Sequence, residues 1–140
     1  MDRTGHGHRV VPHTADLRVE AWGPTREECV AEAVLGAVES FVDTTRAGAA
    51  VACDRLVEAT TDEDLLVAVL DELVYLMDTT GQVPVGVVVA PRDVGAEVRF
   101  EMVDAERLPQ VGAVPKAVSL HELSIACADG GWTCSVTLDV

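Results

Sequence analysis

The sequence predicts an α+β domain: two helices packed on a mostly antiparallel sheet, in the order β-α-β-α and then about four strands. Three observations carry that expectation. Two stretches repeat apolar residues at helical spacing behind a recognisable cap, and the chain after Gly81 alternates apolar and polar residues at a period of two. The third is length, since 140 residues suit one hydrophobic core and not two.

In chain order, residues 1–9 read as a flexible Gly- and His-bearing terminus ahead of a single domain over 10–140. Leu17, Val19 and Ala21 alternate with Arg18, Glu20 and Trp22 as a half-buried strand that stops at Gly23-Pro24. Thr25 and Glu28 form a capping box, and Val30, Val34, Ala37, Val38, Phe41 and Val42 recur on one face, which predicts a helix from about Arg26 to Val42. Val51, Cys53, Leu56 and Val57 suggest a strand of imperfect pattern. Thr61 then caps a second helix, whose first turn carries Asp62, Glu63 and Asp64 on the positive end of the dipole. Its core face is Leu65, Leu66, Val69, Leu70, Leu73 and Leu76, and Asp78 to Gly81 ends it.

Val83, Val85, Val87 and Val89 alternate, as do Val94, Ala96, Val98, Phe100 and Met102, so these segments read as paired strands. A Pro-containing connection from Asp104 to Pro115 follows, long enough to suggest a functional loop. Beyond Lys116 the apolar parity of Val118 and Leu120 shifts to Leu123, Ile125 and Cys127, which requires a bulge near His121-Glu122. Asp129-Gly130-Gly131 turns the chain into a last strand with Trp132, Cys134, Val136 and Leu138 on one face. Either of two turns there sets Cys127 opposite Cys134, although both are expected to stay reduced.

Composition excludes several functions. Apolar residues at 49% and charged residues at 24% are the balance of a folded protein, and 24 acidic against 10 basic residues leave a net charge of −14. A phosphate backbone is repelled by such a surface, so direct nucleic-acid binding is not expected. The apolar run Val83 to Pro91 falls far short of the roughly 20 residues that span a bilayer, and the N-terminus lacks a secretory apolar core, so a cytoplasmic protein without a membrane segment is expected. Cys29, Cys53, Cys127 and Cys134 contain no CxxC pair, which argues against zinc-ribbon and thioredoxin-like chemistry. Phosphate loops, a nucleophile elbow, HExxH and EF-hand signatures are all missing.

Five places hold residues capable of chemistry. His13-Thr14-Ala15-Asp16 sets an imidazole and a carboxylate at the entry to the first strand, where a turn residue is the plainer reading of Asp16. At the other end Asp139 lies beside the main-chain carboxylate of Val140, directly after a strongly patterned strand; joined by a third carboxylate, these groups attract a hard cation such as Ca²⁺. Lys116 is the only lysine beside nine arginines and sits where a long loop meets a strand. His121 and Glu122 occupy the inferred bulge, and His6 and His8 form an i,i+2 pair in a terminus too mobile for a good chelator.

His13-Thr14-Ala15-Asp16, Ala21-Trp22-Gly23-Pro24-Thr25 with Glu28, Asp64-Leu65-Leu66, Asp71 to Leu76, Lys116-Ala117-Val118 and Leu138-Asp139-Val140, in this order, resemble the archease family over nearly the whole chain. The resemblance implies a protein cofactor and not a catalyst: a partner that promotes guanylylation of an RtcB-type RNA ligase and restores stalled enzyme during tRNA splicing or RNA repair. GTP and Mn²⁺ belong to the ligase. It also implies a divalent cation, typically calcium, held by Asp16, Asp139 and Val140 through the last residue's terminal carboxylate or main-chain oxygen. Lys116 and His13 match family positions expected to serve activation or partner contact. Pro12 stands where many members carry an acid, and Leu120 where an aromatic residue is common. Two other readings are a stand-alone hydrolase using Asp16 with His13 or His121 and a metal, and a metal-dependent chaperone.

Overall fold

A computed structural model describes residues 5–12 and 16–140. Seven strands, two long helices and one short 3-10 turn follow the chain as β1 (Gly7–Pro12), β2 (Asp16–Gly23), α1 (Arg26–Glu39), β3 (Val51–Val57), α2 (Asp62–Thr80), β4 (Gln82–Arg92), β5 (Gly95–Asp104), the turn Ala105–Arg107, β6 (Ala117–Ala128) and β7 (Gly131–Asp139). The expected α+β class is what forms. The strands make two antiparallel sheets and not one: four strands in the order β1-β2-β7-β6, and three in the order β3-β5-β4.

Both helices start where their caps direct. The Thr25 hydroxyl accepts the Glu28 N–H and the Thr61 hydroxyl accepts the Asp64 N–H, each at 3.1 Å, so one otherwise unpaired donor of each first turn is satisfied. α2 ends at Gly81, whose φ of 70° lets its N–H reach the Met77 carbonyl at 3.0 Å. α1 stops at Glu39, short of the expected Val42. Phe41 and Val42 stay buried, but their backbone turns away to meet the long loop: Val111 N–H donates to Phe41 at 2.8 Å and Asp43 N–H to Pro109 at 2.9 Å.

α1 packs on β2, β7 and β1 of the larger sheet and on β4 of the smaller, while α2 lies mainly against β6. The core between them holds Val19, Val30, Val34, Val38, Leu65, Leu66, Leu70, Leu73, Phe100 and Leu138, all essentially without solvent contact. At about 1.5–3 kcal/mol for each fully buried large apolar side chain, this core opposes much of the ordering entropy.

Two local expectations need correction. Gly7, His8 and Arg9, assigned to a flexible terminus, are strand residues paired with Trp22, Ala21 and Glu20, because β2 supplies an edge that a weakly apolar segment joins through its backbone. The last hairpin turns on Asp129-Gly130, both at positive φ, so Cys127 faces Trp132 and Cys134 faces Ile125. Cys127 and Cys134 are therefore not opposite one another, and all four cysteines are free thiols.

Candidate metal centre

Antiparallel pairing brings the start of one strand against the end of its neighbour. β2 begins at Asp16, β7 finishes at Asp139, and the register sets these two residues directly across from each other. On the far side of β7, Asp139 is opposite Ala117, and the Lys116 N–H donates to the Asp139 carbonyl at 2.8 Å. Three strand ends thus gather Asp16, Asp139, Val140 and Lys116 at one corner of the larger sheet.

Directly opposed residues of an antiparallel pair share a face, with Cβ atoms about 4.5–5.5 Å apart, and two like charges there destabilise the pairing. A divalent cation reverses the sign of that term. The donors are hard: two side-chain carboxylates, with a main-chain oxygen of Val140 next in the chain, which is the chemistry Ca²⁺ and Mg²⁺ prefer and thiolate-seeking metals do not. Asp16 and Val140 are half-buried and Asp139 is exposed, so the corner is open to solvent on one side. Among the described residues no three His, Cys, Asp or Glu side chains form a metal-binding group. His13 lies outside the described residues.

Lys116 is exposed and borders a cleft of about 500 Å³ between α2 and the end of the long loop, with Val74, Tyr75 and Met77 on one wall and Val114 and Pro115 on the other. The Arg55 guanidinium lies over the Tyr75 ring, 5.8 Å from its centre, and Arg55 donates to Glu72 at 2.6 Å. His121 and Glu122 stand at the bulge as expected, both exposed and 3.7 Å apart. Glu122 is a non-glycine residue at φ 59°.

Sequence reasoning misses how His6 and His8 are used. Their i,i+2 spacing puts both on one face of an extended segment, and that face meets α1: His6 Nδ1 lies 2.5 Å and His8 Nδ1 2.9 Å from the two oxygens of Glu32. His8 Nε2 also sits 3.2 Å from Glu39. The pair pins β1 to the helix.

The chain matches the model of the Archease protein family (MTH1598/TM1083) over residues 8–140. It is 56% identical over 137 residues to "Probable protein archease" of Mycobacterium tuberculosis (strain CDC 1551 / Oshkosh), a match covering 98% of this chain and 76% of that protein. It is 30% identical over 143 residues to "Protein archease" of Archaeoglobus fulgidus, covering 95% of this chain and 98% of the relative. Among solved structures, the solution structure of Methanobacterium thermoautotrophicum protein 1598 superposes with a TM-score of 0.76 at 26% identity, over 96% of this chain and 99% of the other. A crystal structure from Thermotoga maritima, described as an archease and possible chaperone, shares the fold with a TM-score of 0.64 at 20% identity, over 94% and 96% of the two chains.

Proposed function

We propose a function from one premise: the chain belongs to the archease family. It acts in the cytoplasm as a protein activator of an RtcB-type RNA ligase, promoting guanylylation and repeated turnover, and it does so with a divalent cation, calcium by preference, bound at Asp16, Asp139 and Val140. The observation that carries the reading is the direct opposition of Asp16 and Asp139 across β2 and β7, which sets two carboxylate-bearing residues side by side where one hard cation can use both.

The residues divide the work. Asp16 and Asp139 supply charge and Val140 a main-chain oxygen; when bound, the cation neutralises the two carboxylates and fixes the strand ends relative to one another. Lys116, fixed to the corner by its own N–H, offers a second positive charge at the mouth of the cleft beside α2. A net charge of −14 speeds encounter with a basic ligase and keeps the protein off the RNA itself. Against a stand-alone hydrolase stands His121, exposed on the bulge with Glu122 as its ionic partner.

The test is ligase turnover on broken RNA, with GTP and Mn²⁺, in the presence and absence of the protein. Added protein is expected to convert a single round into many, and Asp16→Ala is expected to leave the ligase stalled. Equal turnover with and without the protein overturns the activator role.

A further inference from the structure

A second surface lies along β6 from the metal corner, at its bulge. Ser119 is opposite Thr137 and Ser124 opposite Ser135, so residues 120–123 of β6 stand against a single residue of β7. The excess is accommodated by Glu122 in the left-handed region, a conformation that costs a non-glycine residue of order 1 kcal/mol or more. What the strain achieves is placement: Leu120 is thrust into solvent at 70% exposure while Leu123 packs inward beside it.

These two leucines form one wall of a groove of about 620 Å³, large enough for a few side chains. Val94, at the tip of the β4–β5 hairpin and 57% exposed, and Val67 of α2 add to its apolar lining. The charged lining is all of one sign: Glu58, Asp64 and Asp71, with no lysine or arginine among the lining residues. Asp64, Val67 and Asp71 fall at i, i+3 and i+7 of α2, so the apolar lining is edged by carboxylates along a single helical stripe. Partial desolvation raises the carboxyl of the otherwise exposed Asp71 above the ordinary carboxylate value, the condition of an acid that gains from a nearby cation.

We infer that this groove is a docking site for a cationic polypeptide segment of another protein, one that seats a leucine-like side chain between Leu120 and Val67 and sets Lys or Arg against Asp64 and Asp71. An acidic rim around an apolar floor rejects nucleic acid and acidic peptides through charge, and rejects purely hydrophilic basic chains because they leave the floor wet. The site is separate in chemistry from the cation corner and stands whether or not the partner is an RNA ligase.

Methyl-resolved NMR titration of the whole protein with two synthetic peptides tests it: an amphipathic helix of Lys and Leu, and the same peptide with Glu for every Lys. The Lys peptide is expected to saturate, with shifts concentrated at Leu120, Leu123, Val94 and Val67, and the Glu peptide to leave these methyls unmoved. Leu120→Asp, at an exposed position, is expected to weaken binding at least tenfold, and Asp71→Asn severalfold, while Val88→Asp on β4 leaves it unchanged. Shifts spread evenly over the acidic surface, equal binding of the Glu peptide, or full binding by Leu120→Asp overturns the inference. Concentration-dependent self-association that Leu120→Asp abolishes overturns it too, by assigning the groove to a second copy of the chain.

Discussion

At the scale of single residues, the chemistry of this molecule depends on which side chains the strand ends bring together. Lys116 is tied to Asp139 by its backbone and leaves its ammonium free to act outward, so Lys116→Ala is expected to lower ligase guanylylation substantially while stability changes within about 0.5 kcal/mol. Lys116→Arg separates charge from shape: partial activity identifies electrostatics and complete loss a specific contact, whereas full activation by the alanine variant removes the lysine from the account. The thiols make a second test. The Cys134 thiol is pushed far up by its hydrogen bond with Cys29 and by burial, and Cys29 itself is fully enclosed. A thiol reagent at neutral pH is therefore expected to modify exposed Cys127 first and to reach Cys29 and Cys134 only on unfolding; rapid modification of all four contradicts the packing. For Asp71 the sign runs against the usual carboxylate. Its value is raised in the folded state, so folding takes up a proton as pH falls through that range, and stability gains there instead of being lost. Asp71→Asn is expected to raise stability slightly at pH 7, by no more than about 0.5 kcal/mol, and to flatten this part of the pH profile of chemical denaturation.

Elements were legible where local chemistry decides them. Thr25, Thr61 and Gly81 mark helix ends by hydrogen bonds made within a few residues, and the parity shift between Leu120 and Leu123 locates the β6 bulge because side-chain alternation admits no other explanation. β1 was not legible: Gly7, His8 and Arg9 carry little apolar signal, and the strand exists because β2 offers hydrogen bonds and Glu32 holds two histidines. Opposition of Cys127 and Cys134 requires a Gly130-Gly131 or a four-residue loop, whereas the chain turns on Asp129-Gly130, the stronger two-residue hairpin signal. Thr61→Ala removes a cap and is expected to cost about 1 kcal/mol in denaturant unfolding. Gly95→Ala should cost more, since φ is 110° and a Cβ there lies 2.0 Å from the Val57 carbonyl oxygen; an unchanged midpoint means the β4–β5 hairpin does not approach β3 as described.

Across the whole molecule, two antiparallel sheets and two helices set the Asp16–Asp139 corner beside the start of β6 and the groove at the β6 bulge. The acids of the corner were visible as residues at opposite ends of the sequence, but not as neighbours: the β2–β7 pairing spans the chain and no local signal encodes it. None of the helices among the described residues is long and apolar enough to cross a membrane. With a net charge of −14, the isolated protein is expected to show no RNA affinity at physiological salt, and salt-sensitive micromolar binding to a tRNA fragment contradicts that.

The claim on which the functional account turns is that Asp16 and Asp139 act together on one cation. Calorimetric titration of Ca²⁺ into the parent protein, Asp16→Asn, Asp139→Asn and the double variant measures it. The account predicts one site in the parent, a large loss in either single variant, and little further loss in the double, because the second carboxylate has no cation left to share. Unchanged affinity in both single variants, or losses that simply add, would show that the two aspartates face each other without forming a site.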